Sequence, residues 1–121
     1  MGENVFPVDH IAYNLDSRLI FIKTYYEINE DDTLRTTIDS FKSYLIRNKK
    51  ISERRRKIYL NLLKYTKKLS DQRQRFRLQP GTVKSVRFNI KKIKKEINSD
   101  KNIINLSWLQ AQVEVLEKEV G

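Results

Sequence analysis

The sequence predicts an all-α protein of about five helices, and three observations carry that expectation. Apolar residues recur at spacings of three and four along most of the chain, the period of a helix with one buried face. Breakers are scarce: the 121 residues include only three Gly and two Pro, too few for a fold with many tight turns. Hydrophobic residues make up 39% and charged residues 33%, which suits neither a membrane protein nor a plainly disordered chain. A chain of this length is expected to be one domain with a modest core.

Residues 1–8 read as an irregular lead-in, with Pro7 suited to the first turn of a helix. From about 9 to 28, Ile11, Leu15, Leu19, Ile22 and Tyr26 mark the first helix. Phe21, Tyr25 and Ile28 form a second stripe, so this helix is expected to bury two faces. Asn29 suits its exit, and Glu30, Asp31 and Asp32 suit the positive end of the next helix. That second helix, about 31–47, carries Leu34, Ile38, Phe41 and Leu45 on one side. Asn48, Lys49 and Lys50 form a loop. Ser52 reads as the N-cap of a third helix, about 52–71, although Arg55 stands where a capping box would want Glu. Its stripe is Ile58, Leu62, Tyr65 and Leu69, broadened by Tyr59, Leu60 and Leu63. Residues 72–79 read equally as a continuation of that helix or as a basic connector, ended by Pro80 and Gly81.

The last two helices are the most regular. Val83, Val86, Ile90, Ile93 and Ile97 repeat at three, four, three and four, as do Leu106, Leu109, Val113, Leu116 and Val120. Such seams are narrow and need a partner. Residues 98–105 are polar and long enough to let the two fold back as an antiparallel hairpin; pairing with a second chain is the competitor.

The run Tyr25-Tyr26-Glu27-Ile28-Asn29-Glu30-Asp31-Asp32 resembles a degenerate tetratricopeptide repeat. Tyr25 stands at the family's aromatic position and Leu34 where a small residue is preferred. Ile38 replaces the second aromatic, and Ile46 stands where the closing Pro would be. A longer resemblance runs over about 18–120. It passes through Lys23-Thr24-Tyr25-Tyr26-Glu27, Asp39-Ser40-Phe41, Arg47-Asn48-Lys49, Ile51-Ser52-Glu53-Arg54-Arg55 and Tyr59-Leu60-Asn61 to Trp108-Leu109. These segments are similar to the C-terminal region of uncharacterised Bacteroidetes helical-repeat proteins of tetratricopeptide-like type. The resemblance implies a solenoid end-piece. The chain is read as a single all-α domain, 1–121, in three parts: a tetratricopeptide-like helix pair at 1–50, a basic helix and connector at 51–79, and a helical hairpin at 80–121. It implies no activity and no ligand.

Several function classes lose their chemistry at the level of composition. The chain has no cysteine, which removes disulfides, thiolate nucleophiles and cysteine-based zinc sites. His10 is the one histidine and lacks neighbours for a metal site or a triad. Glu30, Asp31 and Asp32 lack the alternating oxygens and central Gly of a calcium loop. No cofactor, metal or catalytic residue is expected, and the chain is not read as an enzyme. No stretch suits a bilayer span, and Met1-Gly2-Glu3-Asn4 does not open a signal peptide. The cytoplasm is the expected location.

The net charge of +10 is unevenly placed. Residues 47–95 hold nineteen basic and two acidic side chains, between acidic flanks on either side. Arg54, Arg55, Arg56, Lys57, Lys64, Lys67 and Lys68 lie on the third helix. Lys84, Arg87, Lys91, Lys92, Lys94 and Lys95 lie on the fourth, with 84, 87, 91 and 94 in one stripe. Cations at the start of the third helix oppose its dipole and call for a partner. The candidate polyanion contacts are Arg54, Arg55, Lys64, Lys68, Lys84, Arg87, Lys91 and Lys94, with Arg73, Arg75 and Arg77 as a mobile arm. The plainer reading is a solvated face with salt bridges to Glu114, Glu117 and Glu119. No helix-turn-helix or strand-borne aromatic pair accompanies the charge. The Tyr and Phe residues, including Tyr13, Tyr25, Tyr26, Phe41, Tyr44 and Tyr65, are expected in the core, and Trp108 beside the last seam. The preferred function is therefore a non-catalytic protein-interaction or scaffold module, its partner another protein or preceding repeats. A nucleic-acid-binding module on helices 52–71 and 82–97 is the alternative, and a homo-oligomer is also compatible.

Overall fold

The computed structural model describes residues 7–121. Those residues form five α-helices and no strand: α1 (Pro7–Glu27), α2 (Asp31–Arg47), α3 (Glu53–Leu78), α4 (Val83–Ser99) and α5 (Leu106–Val120). Most of the expected lead-in lies outside the described residues, and Pro7 opens α1. The helices group into two compact units, Met1–Ile51 and Ser52–Gly121.

In the first unit α1 packs on α2. Leu15, Leu19, Ile22 and Tyr26 of α1 and Leu34, Ile38, Phe41 and Leu45 of α2 are buried, as their spacing predicts. The guanidinium of Arg18 lies over the Tyr44 ring at 4.3 Å and the Phe41 ring at 5.9 Å, so the pair is held partly by cation–π attraction. The turn between them is set by Asn29, whose φ of 62° is left-handed. The Glu30 N–H donates to the Tyr25 carbonyl and the Asn29 N–H to that of Tyr26, the paired bonds of a Schellman stop. Asp31 and Asp32 then fill the first turn of α2, where the helix dipole favours them.

The expected second buried face of α1, Phe21, Tyr25 and Ile28, does not form: Phe21 and Ile28 are exposed and Tyr25 is half-buried. Tyr13, Ile20, Phe21 and Ile28 are 71, 60, 51 and 56% exposed. At 3.6 residues per turn they lie roughly opposite the face that meets α2. Tyr13 is accordingly not a core residue, and Phe21 stacks along the surface on Tyr25 at 6.0 Å.

In the second unit α3, α4 and α5 pack pairwise on one another. Ser52 caps α3, its Oγ accepting from the Arg55 N–H at 3.2 Å. Residues 72–78 continue the helix, which resolves the expected ambiguity. Arg73 is only 6% exposed there, so its guanidinium is buried with its stem, and its charge acts on Glu119. Gly81, at φ +90°, turns the chain where other L-residues would be strained. Thr82 then reaches back, its Oγ1 donating to the carbonyls of Gln79 at 2.8 Å and Arg75 at 3.1 Å. The end of α3 is thus closed by a residue that precedes α4.

Val86, Ile90, Ile93 and Ile97 of α4 are buried, as are Leu109, Val113, Leu116 and Val120 of α5. Val83, the first residue of α4, is exposed instead, and Trp108 is half-buried. Residues 100–105 are pinned to α3: the Ile104 N–H donates to the Ile58 carbonyl at 3.2 Å, and Asn61 Nδ2 donates to the Asn102 carbonyl at 2.9 Å.

The seam assignment makes a direct prediction. Ile90→Asp places an unpaired charge among buried side chains and should cost several kcal/mol, whereas Lys91→Asp on the exposed side should stay within about 0.5 kcal/mol. Thermal melts of both variants check this, and equal losses would show that the register is wrong.

Candidate functional site

The basic cluster is the chemistry-bearing feature of the sequence, and the fold divides it into three groups. The first is tied into the second unit by carboxylates and a hydroxyl. Lys68 Nζ lies 3.4 Å from Glu96 Oε1, and Lys94 Nζ lies 3.2 Å from Glu117 Oε1. Arg77 grips Glu119 with two bonds, Nε to Oε2 at 2.6 Å and Nη2 to Oε1 at 2.7 Å. Arg75 donates to Ser85 Oγ at 3.2 Å. Arg73, Arg75 and Arg77 therefore form no mobile arm: they sit on a continuous helix, one buried and two bonded across it.

Lys64 and Lys68 form a second group, around Tyr65. Their ammonium nitrogens lie 4.7 and 5.8 Å from its ring centroid. The Tyr65 hydroxyl donates to Asp100 Oδ2 at 3.2 Å. Burial, reinforced by the Asp100 charge and that hydrogen bond, pushes the phenol up to about 12, so it remains a neutral donor across the physiological range.

The third group faces outward on α4. Lys84, Arg87, Lys91, Lys92 and Lys95 are all exposed. None of them makes an ion pair or a side-chain hydrogen bond with another described residue. The stripe expected at 84, 87, 91 and 94 thus loses Lys94 to Glu117 and gains Lys92 and Lys95.

The eight candidate contacts do not share one surface. Successive contacts pair Ile58 with Ile104, Lys68 with Glu96, Gln72 with Asn89, and Arg75 with Ser85, so α3 and α4 run in opposite directions. Arg54 and Arg55 lie a turn beyond the level of Ile104, away from Lys84 and Arg87 at the other end. Lys64 and Lys68 line the edge of α3 that faces Glu96.

One residue on this face is absent from the sequence-based set. Phe88 is 69% exposed, and helical geometry places it opposite Val86, Ile90 and Ile97, between Lys84, Lys91, Lys92 and Lys95. The signal was available: Phe88 is the one large apolar residue of α4 that falls off its three–four repeat.

Elsewhere the surface offers less. A groove of about 260 Å³ between α4 and α5 is lined by Lys94, Ile97, Asn98, Gln110, Val113 and Glu114, and Gln110 bridges it to Asn98 at 3.0 Å. His10 is exposed and meets only Asn14, at 3.4 Å. Among the described residues no group of three or more His, Asp or Glu side chains could hold a metal ion, and no helix is long and apolar enough to cross a membrane. Comparison of the chain with family models, curated proteins and solved structures finds no match.

The Arg77–Glu119 pair carries a pH prediction. The hydrogen bonds from Arg77 hold the Glu119 carboxyl below its usual range, against the opposing pull of burial, with the charges of Arg77 and Arg73 acting alongside. A depressed acid pKa contributes stability above its unfolded value, near about 4.3, and loses it as pH falls through the folded value. Glu119→Gln should therefore lower the melting temperature slightly at neutral pH, since the pair is partly exposed. The gap to wild type should close below about pH 4. A gap independent of pH would show that the pair contributes nothing.

Proposed function

We propose that this chain is a non-catalytic protein-interaction or scaffold module, the C-terminal end-piece of a helical-repeat protein. One observation carries the reading: Tyr13, Ile20 and Phe21 of α1, with Ile28 just past its end, form an exposed apolar face roughly opposite the one that meets α2. A repeat unit cannot bury its apolar surface alone, and stacking neighbours on both sides is how solenoids do so. Four large apolar side chains on one helix face are more than the single exposed residues common on protein surfaces.

The two resemblances favour the same reading. The α1–α2 pair, with its aromatic Tyr25–Tyr26 and short polar turn, is read as a tetratricopeptide-like unit. In α4 and α5, Asn98 meets Gln110 and Lys94 meets Glu117. Partners that descend along one helix as they ascend along the other support an antiparallel terminal hairpin. The lack of cysteine and of any histidine beyond His10 supports binding over catalysis.

The test is local crosslinking. A photoreactive phenylalanine analogue at Phe21, in the full chain in its own cells, should capture protein. The same analogue at exposed Lys42 on α2 should capture far less. Ile20→Lys, at an exposed site, should leave the melting temperature within a few degrees and cut the Phe21 adducts several-fold. Adducts from Phe21 no more abundant than those from Lys42 would sink the proposal.

A further inference from the structure

We propose that the outward face of α4, built from Lys84, Arg87, Phe88, Lys91, Lys92 and Lys95, binds single-stranded nucleic acid. The cations contact successive phosphates, and an unpaired base stacks on the Phe88 ring. This site is independent of the apolar face of α1 and requires no helical-repeat partner.

The arrangement of charge comes first. Five cations on this face have no carboxylate partner among the described residues, while neighbouring Lys68 and Lys94 do. Arg87 and Lys91, and Lys91 and Lys95, are like charges four residues apart, which destabilises a helix that nothing neutralises. The first turn of α4 contains no acid, and Lys84 sits there, adding to the positive end of the helix dipole. A polyanion offsets all of these at once. From Lys84 to Lys95 the row is roughly 16 Å long at 1.5 Å per residue, enough for a few nucleotides.

The aromatic ring selects the form of that polyanion. Phe88 is 69% exposed, since the interior side of α4 is occupied by Val86, Ile90, Ile93 and Ile97. An exposed ring among cations is the standard element of single-strand binding, because every base has a stacking face. Bases in a duplex are already stacked and withhold theirs. Asn89, the nearest amide, is engaged with Gln72 at 3.2 Å and does not read base edges. Binding is accordingly tolerant of sequence.

Other occupants fit less well. A membrane surface needs an apolar helix face sunk into the headgroup boundary, and here one ring stands among cations. A second copy of this chain brings its own net charge of +10 and is repelled overall.

Fluorescence polarisation with a labelled oligothymidylate of about 12 nucleotides tests the site, alongside the matching duplex and phosphatidylserine-containing vesicles. The single strand should bind at or below about 10 μM in about 0.15 M salt, and weaken steeply with salt. Phe88→Ala should weaken it about tenfold with the salt slope and melting temperature unchanged. Lys84→Gln/Lys91→Gln/Lys95→Gln should flatten the log–log salt slope by about two. A matched control, Lys42→Gln/Lys49→Gln/Lys50→Gln, should change little.

Four results would overturn the proposal. They are affinity no better than about 10⁻⁴ M, an inert Phe88→Ala, equal losses in the control, or binding to vesicles alone.

Discussion

The second unit depends on the burial of one narrow seam, Val86, Ile90, Ile93 and Ile97 of α4. Each such side chain, fully removed from water, contributes about 1.5–3 kcal/mol. Little else favours this helix. Its Val and Ile residues have weaker helix propensity than Ala or Leu, its N-terminal turn holds Lys84 instead of an acid, and its outer face repels itself. Only packing against α3 and α5 together overcomes these terms. The other devices of the unit serve that packing. Thr82 closes α3 as it starts α4, Asn61 and the Ile58 carbonyl hold residues 100–105, and Arg77 fastens α5 to α3 through Glu119.

Periodicity made α2 through α5 legible because each presents one apolar stripe and each stripe found a partner. It misled at α1 for the same physical reason. A second stripe shows that a face is able to be buried, not that a neighbour exists to bury it. Tyr13, Ile20, Phe21 and Ile28 have the composition of a core and the exposure of a surface. The ambiguity at 72–78 was of a different kind. Alternating Gln and Arg carries no apolar period, yet the helix runs through it because Arg73 is buried, Arg75 and Arg77 bond to Ser85 and Glu119, and Thr82 seals the end. Cap geometry was the most readable of all, since Asn29 acts through its left-handed backbone and Ser52 through a side-chain bond three residues on, and neither needs tertiary context.

The basic cluster was legible as a cluster and illegible as a surface. Which cations are neutralised depends on where acids arrive from another helix, and only the fold decides that. Glu117 and Glu119 of α5 and Glu96 near the end of α4 reach Lys94, Arg77 and Lys68. These cations lie at the edges where helices meet. Lys84, Arg87, Lys91, Lys92 and Lys95 are exposed, and none of those carboxylates pairs with them. The sequence counts sixteen cations on α3 and α4 alike, whereas packing sorts them by helix face.

The two exposed faces belong to different units and answer to different physics. The face on α1 is apolar, so an association there scales with buried area and is nearly indifferent to ionic strength. The face on α4 is cationic, so an association there is driven by counterion release and collapses as salt rises. Neither face can substitute for the other. An apolar partner would leave five cations desolvated and unpaired on α4, a cost that attraction between apolar atoms cannot meet. A polyanion on α1 would find four uncharged side chains and nothing to neutralise it. Salt dependence therefore separates the two surfaces within the intact chain: any partner held through α1 should persist at ionic strengths that strip a polyanion from α4.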